Sequence, residues 1–97
     1  MDYKIFWTEE AVQNLEEIID YLFTNWTHRE MENFKSKLSK QIDLIERNPR
    51  MFPISPFQPR LRKAVLSKQT SVFYEISDNV IYIAYVFVNH QNTERLK

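Results

Sequence analysis

The sequence contains neither cysteine nor glycine. Without cysteine there are no disulfide staples, no thiol nucleophile and no cysteine-ligated zinc. The missing glycine is the more unusual absence, since average usage is about 7%. A P-loop and a dinucleotide-binding turn both need glycine where backbone closes on phosphate, so both are excluded. Histidine is scarce as well: only His28 and His90 occur, far apart and without metal-ligand spacing. No metal and no other cofactor is expected. No apolar run approaches the roughly 18 residues a membrane helix requires; the longest, Val80–Val88, has nine. The N-terminus has no basic segment leading into an apolar core, so the expected location is the cytoplasm.

What is present suits one small packed domain covering residues 1–97. Hydrophobic residues make up 43% of the chain and aromatics 14%, enough for a core that is thin at this length. Thirteen basic and thirteen acidic residues cancel overall. They are not evenly spread: residues 1–34 carry a balance of −6 and residues 35–97 a balance of +6. Such a dipolar chain has one basic side able to steer a polyanion or an acidic partner.

The hydrophobic pattern changes period along the chain. Asp2–Trp7 alternates and predicts a short strand. Thr8 is placed as an N-cap, with Glu9 and Glu10 suited to the helix dipole behind it. Ala11, Leu15, Ile18, Ile19 and Leu22 then draw one helical stripe. That helix should fray near Thr24-Asn25-Trp26. Thr27 and Glu30 have capping-box spacing and open a second amphipathic helix of about 20 residues, with its stripe at Met31, Phe34, Leu38, Ile42 and Ile45. Asn48-Pro49 ends it. So short a connection predicts an antiparallel helical hairpin. Residues 50–60, with Pro53, Pro56 and Pro59, read as an irregular connector packed by Phe52 and Phe57. Three strands follow: Leu61–Leu66, Thr70–Ile76 and Val80–Val88, the last two joined by a turn at Ser77-Asp78-Asn79, where Asp and Asn tolerate positive φ. The unbroken apolar run of the last strand predicts a central position covered on both faces. His90–Lys97 is a polar tail. The order β-α-α-β-β-β predicts an α+β domain, a small antiparallel sheet with the hairpin on one face. Apolar side chains on its other face imply a bound partner.

The chemical candidates are few. His90 follows the last strand, where sheet ends commonly present functional groups, and could transfer a proton near neutral pH. Arg60, Arg62 and Lys63 are the densest basic cluster and form a candidate partner-binding surface. Arg62 and Lys63 alternate along a strand, so one of them faces the open side of the sheet. An arginine there could hold phosphate or an acidic peptide. Tyr74 shares a face with Val72 and Ile76 and reads first as a core residue, with a catalytic phenol as the alternative. Tyr82 and Tyr85 read as packing residues. The neighbouring pairs Glu9/Glu10 and Glu16/Glu17 do not face one another on a helix and are poor candidates for a shared proton.

These residues resemble the RelE/ParE superfamily of toxins from bacterial type II toxin–antitoxin systems. The likeness runs from Trp7-Thr8-Glu9-Glu10-Ala11 through Leu15, Ile18 and Tyr21, then Asn48-Pro49, Leu61-Arg62-Lys63 and Val72-Phe73-Tyr74-Glu75-Ile76. It closes with Val80-Ile81-Tyr82-Ile83, Val86-Phe87 and Gln91-Asn92. The resemblance implies the β-α-α-β-β-β fold and a cognate antitoxin that covers apolar and basic surface. It also implies one of two activities: inhibition of DNA gyrase, as in the ParE-like branch, or ribosome-dependent cleavage of mRNA, as in the RelE-like branch. Zero net charge is a poor basis for gripping ribosomal RNA. Ser71 falls near a position where nuclease members often carry arginine, and His90 where relatives often carry another. The ParE-like branch is therefore favoured. On the nuclease alternative, Arg62, Tyr74 and His90 are the candidate catalytic residues. A degenerate chain that only binds its antitoxin is the third possibility.

Overall fold

The computed structural model describes residues 3–25 and 27–88, with the side chains of Leu22 and Phe23 outside that description. Strand β1 spans Lys4–Trp7, helix α1 Glu9–Asn25, helix α2 His28–Arg47, and strands β2, β3 and β4 span Arg62–Val65, Thr70–Ser77 and Val80–Val88. The predicted order β-α-α-β-β-β is the observed one, and the α+β class with it. The N-terminal Asp2 of the expected first strand, the fraying residue Trp26, and the tail from residue 89 onward, His90 included, lie outside the described residues.

Four strands form one sheet in the order β1-β4-β3-β2. The β2–β3 and β3–β4 pairs are antiparallel, as expected. The β1–β4 pair is parallel, with Lys4 opposite Val80 and Trp7 opposite Ile83, so the sheet is mixed. The reason lies in the chain path. With two helices between them, β1 and the later strands need not run in alternating directions, and the crossover allows a parallel partner. Asp78 turns the β3–β4 hairpin with φ 54°, a left-handed conformation that a short polar side chain tolerates better than an aliphatic one.

The described residues of both stripes turn toward the core, with Leu15, Ile19, Leu38 and Ile42 half-buried and the Leu22 side chain outside the described residues. Ala11 and Ile18 of α1 and Met31, Phe34 and Ile45 of α2 are buried in one cluster with Ala64, Val72, Tyr74, Ile81, Ile83 and Val86 of the sheet. Thr8 fastens the start of α1 twice. Its hydroxyl accepts from the Ala11 N–H at 3.1 Å and lies 2.9 and 2.8 Å from the carbonyl oxygens of Ile83 and Ala84, which share its single proton. Asn14 then accepts from the Val86 N–H at 3.0 Å, tying α1 to β4. Helix α2 opens on the expected capping box between Thr27 and Glu30, and Gln41 donates to the Val65 carbonyl at 2.9 Å, tying α2 to β2.

The central place of β4 is observed, but cover on both faces is not. Tyr82 and Phe87 point away from the helices and are exposed. Their hydrophobic run comes from aromatic side chains lining an open face, which periodicity alone reads as burial. The connector also differs in one respect. Phe52 packs edge-on against Tyr74, with ring centres 6.3 Å apart, whereas Phe57 is 87% exposed and packs nothing down.

Candidate functional site

The two sheet faces receive the candidate residues differently. Register places Arg62 opposite Tyr74 and Lys63 opposite Phe73. Alternation then sends Arg62 and Tyr74 to one side and Lys63 to the other. Tyr74 is fully buried among the core residues. Its hydroxyl donates to the Pro49 carbonyl at 2.5 Å. Burial pushes its pKa up to about 12, and the nearby Arg62 guanidinium opposes that rise only in part. At neutral pH it is a protonated phenol already committed to a backbone acceptor.

Arg62 is committed to the same segment. Its Nη1 donates to the Phe52 carbonyl at 2.6 Å and to the Arg50 carbonyl at 3.3 Å. A cation on two carbonyls makes charge-assisted bonds, stronger than neutral ones. The backbone adds to this fastening: the Lys63 N–H donates to the Pro53 carbonyl at 2.9 Å and the Ser55 N–H to the Leu61 carbonyl at 2.8 Å. Ile54 bridges to Arg62 as well. The buried Ser55 caps the bend beyond it, its hydroxyl accepting from Phe57 and Gln58 N–H groups at 3.3 and 3.4 Å. The outer edge of β2 is thus occupied by the connector.

Lys63 is the member of the cluster that faces the open side. Its Nζ stands 6.0 Å from the Phe73 ring centre, the outer limit of a cation–π contact. Phe73 stacks on Tyr85 with ring centres 4.7 Å apart, and Phe6 meets Tyr82 edge-on at 5.5 Å. Phe73 is itself buried, and the exposed Phe6, Tyr82, Val65 and Phe87 make a largely apolar strip along the open face. Arg60 lies at the end of the connector and pairs with Glu75 across 3.4 Å. Both groups are solvated, so the pair adds little stability. The structure therefore brings Arg62 and Tyr74 together, leaves Lys63 on the opposite face and joins Arg60 to Glu75. His90 lies outside the described residues.

The aromatic pairs were not among the sequence candidates. A signal for them existed in the alternation of Phe73 with Val72 and Tyr74, and of Tyr82 with Ile81 and Ile83. It became readable only once register aligned three strands. Among the described residues, no three His, Cys, Asp or Glu side chains gather as a metal site. Also among them, no helix is long and apolar enough to cross a membrane.

This fold is that of the toxins of type II toxin–antitoxin systems. The chromosomal ParDE system of Pseudomonas aeruginosa contains a chain that superposes with a TM-score of 0.74 at 17% identity, over 89% of this chain and 95% of that one. The Escherichia coli DinJ–YafQ toxin–antitoxin complex gives 0.64 at 10% identity, over 94% and 97%. The RelBE2 toxin–antitoxin complex of Mycobacterium tuberculosis gives 0.63 at 15% identity, over 92% and 100%. At such identities the likeness is one of fold. The sequence itself goes further: the profile of the ParE toxin of the type II toxin–antitoxin system parDE matches residues 5–94, and the chain belongs to that family. A comparison with curated protein sequences finds no significant match.

Proposed function

We propose that this toxin is ParE-like in action: it inhibits DNA gyrase by binding, performs no covalent chemistry, and is neutralised by a cognate antitoxin. The observation that carries this reading is the engagement of Arg62 and Tyr74 inside the fold. A general acid or base must reach the proton it moves, within about 3 Å or through one water. The Tyr74 hydroxyl is buried on the Pro49 carbonyl, and the Arg62 guanidinium is held by two carbonyls. The open sheet face offers paired aromatic rings with Lys63 and Lys4 on different strands, where an RNA-cleaving surface needs a cluster of cations. Zero net charge points the same way, because phosphate-backbone affinity grows with the number of neutralised phosphates. The aromatic strip is an apolar surface suited to an antitoxin segment. Both proposed partners are cytoplasmic, as is the proposed site of action.

The competing reading is ribosome-dependent mRNA cleavage, with Arg62 stabilising developing phosphate charge and His90 moving a proton. One time course separates the two: induced expression in a bacterial host, with labelled thymidine and labelled amino acid followed together. Thymidine incorporation should fail first, and purified toxin should inhibit gyrase supercoiling. Early arrest of amino-acid incorporation, abolished by His90→Ala or Arg62→Ala while antitoxin still binds, would overturn the proposal.

A further inference from the structure

The connector combines two properties that seldom occur together. It is fastened from below at many points, by Tyr74, Arg62, the Lys63 and Ser55 N–H groups and the Ser55 hydroxyl. Yet Met51, Ile54 and Phe57 stand out of it, exposed by 50%, 54% and 87%. Exposed loops ordinarily carry polar residues, and a loop packed for stability turns its apolar residues inward, as Phe52 does here. A rigid loop presenting large apolar side chains to water has the form of a preorganised anchor. Its ordering entropy is lost on folding, so less is lost on association. Buried aromatic and aliphatic anchors of this kind dominate binding energy when they enter a pocket.

We infer that this crest is the surface by which the toxin grips its target, and that it fits a protein surface with an apolar pocket edged by carboxylates. The charge around the crest sets that preference. Arg47 and Arg50 are exposed where α2 meets the connector, and Arg60 is exposed at its far end. Glu46 is exposed beside Arg47 and Glu75 stands beside Arg60, so three arginines face two carboxylates and the neighbourhood keeps an excess of positive charge. The shape separates this surface from the antitoxin's. The aromatic strip on the sheet is broad and suits an extended segment laid along it. The Phe57 side chain stands clear of the surface and suits insertion. The crest and the strip are thus two separate apolar surfaces. This inference rests on the binding mode of action proposed above.

Phe57→Ser and Ile54→Ser test it without threatening the fold, because both side chains are already largely in water. Each variant, with its melting temperature recorded, is compared with wild type in three assays: inhibition of gyrase supercoiling, killing on induction, and complex formation with the cognate antitoxin. The expected result is a loss of at least about tenfold in gyrase inhibition, together with lost killing and unchanged antitoxin binding. Arg47→Glu combined with Arg50→Glu should weaken inhibition similarly and flatten its salt dependence. Variants that inhibit and kill like wild type overturn the inference, as do variants that lose the antitoxin in step with the target. Loss of binding to a labelled duplex DNA 20-mer, in place of lost protein binding, overturns it too. A wild-type toxin that kills without inhibiting gyrase sinks the gyrase reading alone. Lost killing by Phe57→Ser would then still support the crest, and retained killing would still overturn it.

Discussion

Arg62 and Tyr74 face one another across the β2–β3 ladder, and both end on carbonyls of the same connector. One contributes a charged donor at the margin, the other a neutral donor in the interior. Together they turn the irregular stretch between α2 and β2, with its four prolines, into a fixed element.

Tyr74→Phe should therefore destabilise the protein by about 1–3 kcal/mol, because it leaves the Pro49 carbonyl without its donor in a buried place. Arg62→Ala should cost about 1 kcal/mol through its two carbonyl partners. Since both act on one segment, a double-mutant cycle in urea should show a coupling of at least about 0.5 kcal/mol. Strict additivity would mean that the two bonds hold the connector independently.

Tyr74 also predicts an alkaline transition. Its pKa is pushed from 10.0 up to about 12 in the folded protein, by burial and against the opposing effect of Arg62. The unfolded chain loses that proton first. Stability from this group is whole below pH 10 and falls as pH rises from 10 through 12, by about 2 kcal/mol. The measurement is therefore a comparison with a variant that lacks this hydroxyl. Urea midpoints from pH 8 to 12 should fall more steeply for wild type than for Tyr74→Phe; parallel curves would refute the assignment.

Thr8 joins the start of α1 to the carbonyls of β4 through one hydroxyl. Thr8→Val keeps the shape and removes the bonds, and should cost about 1–2 kcal/mol. Thr8→Ser should recover most of that. Chemical denaturation of the three proteins checks both statements, and equal midpoints for Val and Ser would contradict them.

At the β3–β4 turn, Asp78 holds φ 54°. A β-branched residue there meets the steric cost of the left-handed region, about 1–2 kcal/mol, so Asp78→Val should lower the melting temperature. Asp78→Asn should be nearly neutral, and Asp78→Gly neutral or stabilising. A melting temperature unchanged in Asp78→Val would show that the turn relaxes into another type.

Much of this architecture is legible in the residues, and the exceptions have physical causes. The helical stripes, the capping box at Thr27 and Glu30, the stop at Asn48-Pro49 and the Asp78 turn are all local, and local patterns carry their own evidence. The parallel pairing of β1 with β4 depends on a crossover that no local pattern encodes. The exposure of Tyr82, Phe87 and Phe57 was missed because aromatic residues look alike in sequence whether they fill a core or line a surface. For the candidate site, alternation correctly separated Arg62 from Lys63. It could not show that Arg62 and Tyr74 would be bonded to connector carbonyls, since Pro49, Arg50 and Phe52 reach them only through a folded loop.

The parallel seat of β1 beside β4 has a consequence for how the chain comes into being. The Thr8 hydroxyl bonds a carbonyl 75 positions further along the chain, and α1 takes its main packing surface from that same late strand. During synthesis β1 and α1 leave the ribosome with their apolar stripe exposed, and wait until β4 has emerged. Contacts between distant parts of a chain form slowly, because a long loop must close before they contribute. Until β4 is present, β1 has no strand to pair with and the four-stranded sheet cannot form. An interval therefore separates the appearance of α1 from the completion of its packing surface.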